Sequence, residues 1–142
     1  VAVEKNYLSI KHNNEKNLLP LLLDLTNPSP AIGWANKERM DLMKREKADT
    51  VFALALIHHL AISNNVPLNR IAEYLKSLCN FLIIEFVPKS DSQVQKLLST
   101  REDIFDKYTQ QDFEKGFSYF FSIKEYVQIK GTERTLYLME AK

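Results

Sequence analysis

The chain has 142 residues, with 19 basic and 18 acidic side chains for a formal net charge of +1, 45% hydrophobic residues and 26% charged ones. That is the size of one domain, able to bury about two thirds of the surface its unfolded chain exposes. The balanced charge offers nothing to attract nucleic acid or an anionic membrane, and apolar runs of about eight to ten residues fall short of the ~20 that span a bilayer. The one cysteine, Cys79, excludes an internal disulfide framework and a multi-cysteine metal site, and reads as a buried structural thiol. Glu4 and Lys5 directly follow the opening VAV, which argues against a signal peptide. The start reads as trimmed, and a cytoplasmic location is expected.

In chain order, Val1–Val3 reads as the tail of a strand ending at Glu4, and residues 7–15 as a short polar helix. Residues 19–25 (LPLLLDL) form an apolar strand with Pro20 near its entrance, where a missing N–H is tolerable. NPSPAIGW then makes a stiff connection: its prolines fix their own φ angles and disfavour helix before them, and Gly33 permits an unusual turn. Residues 36–47 (NKERMDLMKREK) have helix-favouring composition, with Asn36 as cap and basic residues at the end. Their charge run reads as a solvated helix face.

Residues 50–56 form the next strand. After the HHLAISNNVPL loop, Leu68, Ile71, Ala72, Leu75 and Leu78 recur at helical spacing opposite Asn69, Arg70, Glu73 and Lys76, the clearest amphipathic helix of the chain. Residues 81–87 make a third buried strand, 92–99 a short helix, and 110–121 an aromatic-rich helix containing Phe117 and Tyr119. Two last strands, 125–129 and 135–139, flank GTER as a hairpin. Strands alternating with helices predict an α/β fold: a mostly parallel sheet with an antiparallel carboxyl-terminal hairpin and helices on both faces. Nothing marks a second domain, so residues 1–142 read as one.

Three apolar runs end on polar groups: Asp24 and Asn27, then His58 and His59, then Glu85. Open α/β sheets bind ligands just beyond the carboxyl ends of their strands, so these groups are expected to share a crevice. A histidine there is suited to proton transfer near neutral pH. Successive strand residues point oppositely, so at most one of the pair faces the crevice if the strand continues through both; the simpler reading is one histidine lining the pocket and one packed against the next helix. No Cys or His at ligand spacing accompanies the pair, which argues against zinc.

VAVEKN, LPLLLDLTNPSPAIGW, ALALIHHLAISNNVPL, NFLIIEFVPK and RTLYLM, in this order and spacing, resemble the second strand through the terminal hairpin of a class I S-adenosylmethionine-dependent methyltransferase. The resemblance covers essentially the whole chain, and the His-His pair resembles the small-molecule members. It implies a Rossmann-like sheet whose final strand is reversed, S-adenosylmethionine as cofactor, and a small-molecule methyl acceptor. The chain departs from the family in one respect. The glycine-rich loop after the first strand, where only glycine lets the backbone approach the cofactor, has no counterpart among Gly33, Gly116 and Gly131. The chain therefore resembles a methyltransferase cut upstream of its second strand, a loss that leaves two interior sheet edges unpaired.

The resemblance also implies roles. Glu4 would accept hydrogen bonds from both ribose hydroxyls, and Asp24 would receive the adenine amino group, with Leu25 against the ring and Asn27 nearby. His58 would border cofactor and acceptor. His58, His59 and Glu85 are the candidate catalytic groups, while Trp34, Phe117 and Tyr119 are candidates for the acceptor site, with Ser29 in the covering loop. Simpler readings stand beside these: a helix-capping Glu4, an Asx turn at Asp24, a structural ion pair at Glu85, and plain core at Trp34 and along the aromatic helix. Arg134 has a claim on an anionic substrate group. A non-catalytic methyltransferase-like module is the alternative function.

Overall fold

The computed structural model describes residues 2–142 and divides the chain into two compact units, Val1–Leu42 and Met43–Lys142. The first unit opens with helix α1, Ala2–His12, whose Glu4 lies in the first turn and whose Lys11 and His12 lie in the last, each of the sign that complements the helix dipole. The strand expected to end at Glu4 is thus part of this helix; Val1 lies outside the described residues. Ala2, Glu4 and Lys5 are strong helix formers contiguous with the helical KNYLSIKH, and they extend the helix backwards.

The run 19–25 forms no strand. A strand persists only where a neighbour pairs with its N–H and C=O groups, and among the described residues none pairs with this run. Leu19 is 75% and Leu22 91% exposed. Ile32 and Arg39 form an isolated antiparallel bridge around the 3₁₀ turn Trp34–Asn36, where Gly33, Ala35 and Asn36 take positive φ. The helix expected over 36–47 is replaced by that turn's end and a second 3₁₀ turn, Leu42–Lys44. Met40 and Met43 are exposed. A twelve-residue helix that buries no face is marginal in water whatever its composition.

The second unit holds a four-stranded sheet built from β1 (Ala48–Ala53), β2 (Cys79–Phe86), β3 (Phe121–Gln128) and β4 (Thr135–Ala141), in the order β1-β2-β4-β3. β1 and β2 are parallel; β4 runs antiparallel to both β2 and β3. The fold is α/β with a mixed sheet. Three strands share one direction, but only one neighbouring pair is parallel, because β4 inserts between β2 and β3; this corrects the mostly parallel expectation.

Helices α2 (Leu68–Leu78), α3 (Ser92–Leu98) and α4 (Gln110–Ser118) complete the unit. α2 buries Ile71, Ala72 and Leu75, the face its periodicity marks. α4 is capped by Thr109, whose hydroxyl oxygen accepts the Asp112 N–H, and it buries Phe113 and Phe117. Phe113 stands 4.4 Å from Phe117, 5.2 Å from Phe86 and 5.1 Å from Tyr137 between ring centroids, so helix and sheet meet through aromatic contacts. α4 packs on α2 at Gly116, where an added Cβ would lie 3.6 Å from the Asn69 amide nitrogen, in ordinary van der Waals contact.

Cys79 is fully buried, its Sγ donating to the Leu75 carbonyl, and burial pushes its pKa up. Helices cover one face of this sheet. On the other face Phe52 is 66% and Phe81 39% exposed, so the expected two-sided cover is not met within the unit.

Candidate functional site

β1 ends at Ala53, three residues before the strand end expected from sequence, and Ala55 then adopts φ 49°. A non-glycine residue there carries strain of about 1 kcal/mol or more. Glu85, one residue from the carboxyl end of the neighbouring β2, holds this bend: its Oε2 accepts the Ala55 N–H at 2.7 Å. The chain then turns into a π-helical segment, His59–Ser63, with His58 at its cap. The histidine pair therefore sits on a helical turn rather than on a strand. π turns are rare and concentrate at functional positions.

His58 is buried, its Nδ1 has no hydrogen-bond partner, and its ring lies 4.2 Å from that of exposed His59. Burial first, then the neighbouring His59 and Arg134, lower its pKa to about 4; Asp91 and Glu85 oppose the shift. At neutral pH it is an uncharged imidazole, able to accept or donate one hydrogen bond at a buried position.

Three further charges close the cluster. Arg134, immediately before β4, donates from Nη1 to Glu85 Oε1 at 3.0 Å and from Nε to Asp91 Oδ2 at 2.8 Å. The other Asp91 oxygen accepts the Gln93 N–H at 2.8 Å and so caps α3. The Arg134 hydrogen bond is the main cause that lowers the Asp91 pKa, and the two carboxylates in turn raise that of Arg134. Strands β1 and β2 present their carboxyl ends to this cluster, and antiparallel β4 presents its amino end, since Phe86 pairs with Thr135. His58, His59 and Glu85 thus come together as their positions at run ends imply, and Arg134, which opens the last strand, joins them. Asp91 was missed; its signal was Asp-Ser-Gln opening a helix, a capping pattern.

Phe117 and Tyr119 lie elsewhere in the second unit. Phe117 is fully buried in the aromatic core, whereas Tyr119, just past α4, is 68% exposed and lines a cavity. Glu4, Asp24, Leu25, Asn27 and Trp34 belong to the first unit. There Glu4 is exposed on α1, and Asp24 Oδ1 accepts both the N–H and the hydroxyl of Thr26, at 2.8 and 2.7 Å. This is an Asx turn, and the Thr26 hydroxyl is the main cause that lowers the Asp24 pKa. Ser29 Oγ accepts from Arg39, Asn27 is exposed, Leu25 is half-buried, and Trp34 is 87% exposed.

Among the described residues no group of three or more acidic, Cys or His side chains is placed to hold a metal ion, and no helix is long and apolar enough to cross a membrane. No family model and no solved structure matches the chain. Over 125 residues it is 45% identical to nodulation protein NoeA of Rhizobium meliloti (strain 1021), a match covering 88% of this chain and 26% of that protein. The chain spans about a quarter of the relative's length.

Proposed function

We propose that this chain supplies the carboxyl-terminal part of an S-adenosylmethionine-dependent methyltransferase domain acting on a small-molecule acceptor. The observation that carries the proposal is the sheet order β1-β2-β4-β3, with the last strand in sequence reversed and inserted between two strands of the other direction. A reversed final strand is the feature of the family's sheet that these residues cover. The polar groups at the carboxyl ends of β1 and β2 add to it, because open α/β sheets bind ligands there.

The residues present do not by themselves fit the cofactor. Asp24 is committed to its own Asx turn, Glu4 lies on a helix rather than at a strand end, and no glycine cluster is available for the methionine part. The proposal therefore requires the rest of the cofactor site from sequence outside these 142 residues. Among the described residues His58 is the group with an uncommitted buried nitrogen, while both Glu85 oxygens already accept hydrogen bonds. In this reading His58 contacts the acceptor, and Glu85 positions the β1 exit and Arg134.

The name of the relative ties that protein to nodulation, and the proposal takes the same process as the setting of this chain. The non-catalytic module remains a second reading, favoured by the full engagement of Glu85. Calorimetric titration of the full gene product with S-adenosylmethionine separates the two. Saturable binding with methyl transfer that falls at least about tenfold in His58→Ala supports the enzyme. A folded full-length protein that binds no cofactor sinks it, and binding without turnover favours the module.

A further inference from the structure

On the helical side of the sheet lies a cavity of about 570 Å³, none of whose lining residues belongs to the His58, Glu85, Asp91 and Arg134 cluster. Pockets of this size suit a drug-sized molecule, and such sites combine a mainly apolar lining with a few polar groups that fix orientation. Here the apolar walls come from three separate segments: Leu68 at the start of α2, Ile104 and Phe105 in the loop between α3 and α4, and Tyr119 after α4. Ile104 and Tyr119 are 64% and 68% exposed, a large apolar and aromatic surface for loop positions that no neighbour covers. The Arg101 guanidinium stands 5.3 Å over the Phe105 ring and holds it in place.

The lining sets two lysines, Lys107 and Lys115, against two carboxylates, Asp106 and Asp112. Asp112 accepts the Thr109 hydroxyl at 2.7 Å in the first turn of α4, where the helix dipole already complements its charge. Among the described residues Lys107 and Lys115 have no ion-pair partner. The first turn of α2 borders the cavity and adds the positive end of its dipole.

We propose that this cavity binds an amphipathic anion, a flat apolar body seated on Leu68, Ile104, Phe105 and Tyr119 with a carboxylate- or sulfonate-type head directed to Lys115. The site does not depend on the methyltransferase reading. A fluorescence titration of the 142-residue chain with 1-anilinonaphthalene-8-sulfonate, and in parallel with the uncharged N-phenyl-1-naphthylamine, tests it.

One saturable site is expected. Ile104→Asp weakens both probes roughly tenfold, and Lys115→Glu weakens the sulfonate by a similar factor while sparing the neutral probe. Circular dichroism verifies folding, and Tyr119→Ser replaces Ile104→Asp if that variant misfolds. No saturable signal from the folded chain overturns the proposal. So does binding that ignores Ile104→Asp but is lost in Phe52→Ser with Phe81→Ser, which would put the probe on the open sheet face. Equal weakening of both probes by Lys115→Glu overturns the anionic head.

Discussion

A buried imidazole with an unpartnered Nδ1 is more stable neutral than charged, and His58 carries that preference into the stability of the whole fold. Its folded pKa of about 4 lies below the ordinary 6.5, so below pH 6.5 the unfolded chain takes up a proton that the folded chain refuses. Stability from this group is complete above about pH 6.5 and is lost as pH falls towards 4, at about 1.4 kcal/mol per pH unit. Urea unfolding at pH 7 and pH 5 is expected to differ by about 2 kcal/mol. The difference should shrink in His58→Leu, which removes the titrating group and leaves no orphaned nitrogen. An equal pH dependence in the variant would place the proton uptake elsewhere. The neighbouring Arg134, Glu85 and Asp91 were only partly legible in sequence. Glu85 announced itself as a carboxylate inside an apolar run, which burial obliges to find a partner. That partner lies 49 positions away, and the Asp91 contact spans 43; no local pattern encodes such pairings.

Among the elements, α4 shows how one helical stripe divides into core and cavity wall. Phe113 and Phe117 face the sheet and are fully buried, while Asp112, Lys115, Gly116 and Tyr119 line the cavity. Phe117→Ala should cost about 3–5 kcal/mol in chemical denaturation, the penalty for a large aromatic removed from a packed core. Tyr119→Ala at its exposed position should stay within about 0.5 kcal/mol. Comparable losses at both positions would contradict this division. The same logic explains which elements the sequence predicted. α2, α3 and the β3–β4 hairpin form because helical periodicity and a Gly131 turn at φ 80° are local signals that agree with tertiary packing, although α4 stops at Ser118 and β3 begins at Phe121, so the strand takes the end of the helix expected over 110–121. Residues 19–25 have strand composition and residues 36–47 helix composition, yet neither forms its element, since one lacks a pairing neighbour and the other a buried face. Composition measures propensity, and propensity yields to the absence of a partner.

For the molecule as a whole, every buried hydrophobic side chain described lies between Ala53 and Met139, inside the second unit. A four-stranded sheet with helices on one face exceeds the three strands needed for independent stability. Residues 43–142 expressed alone are therefore expected to unfold cooperatively, with a Tm within about 5 °C of the 142-residue chain, as thermal circular dichroism would measure. The expectation has a specific point of failure. Phe52 and Phe81 leave apolar area exposed on the open face, and β1 is an edge strand with free backbone groups along one side. A broad, non-cooperative transition in the shortened chain would mean that residues 2–42 contribute stability the buried core does not reveal. A sharp one with concentration-dependent light scattering would mean that the core suffices for folding and the open face and edge govern association instead.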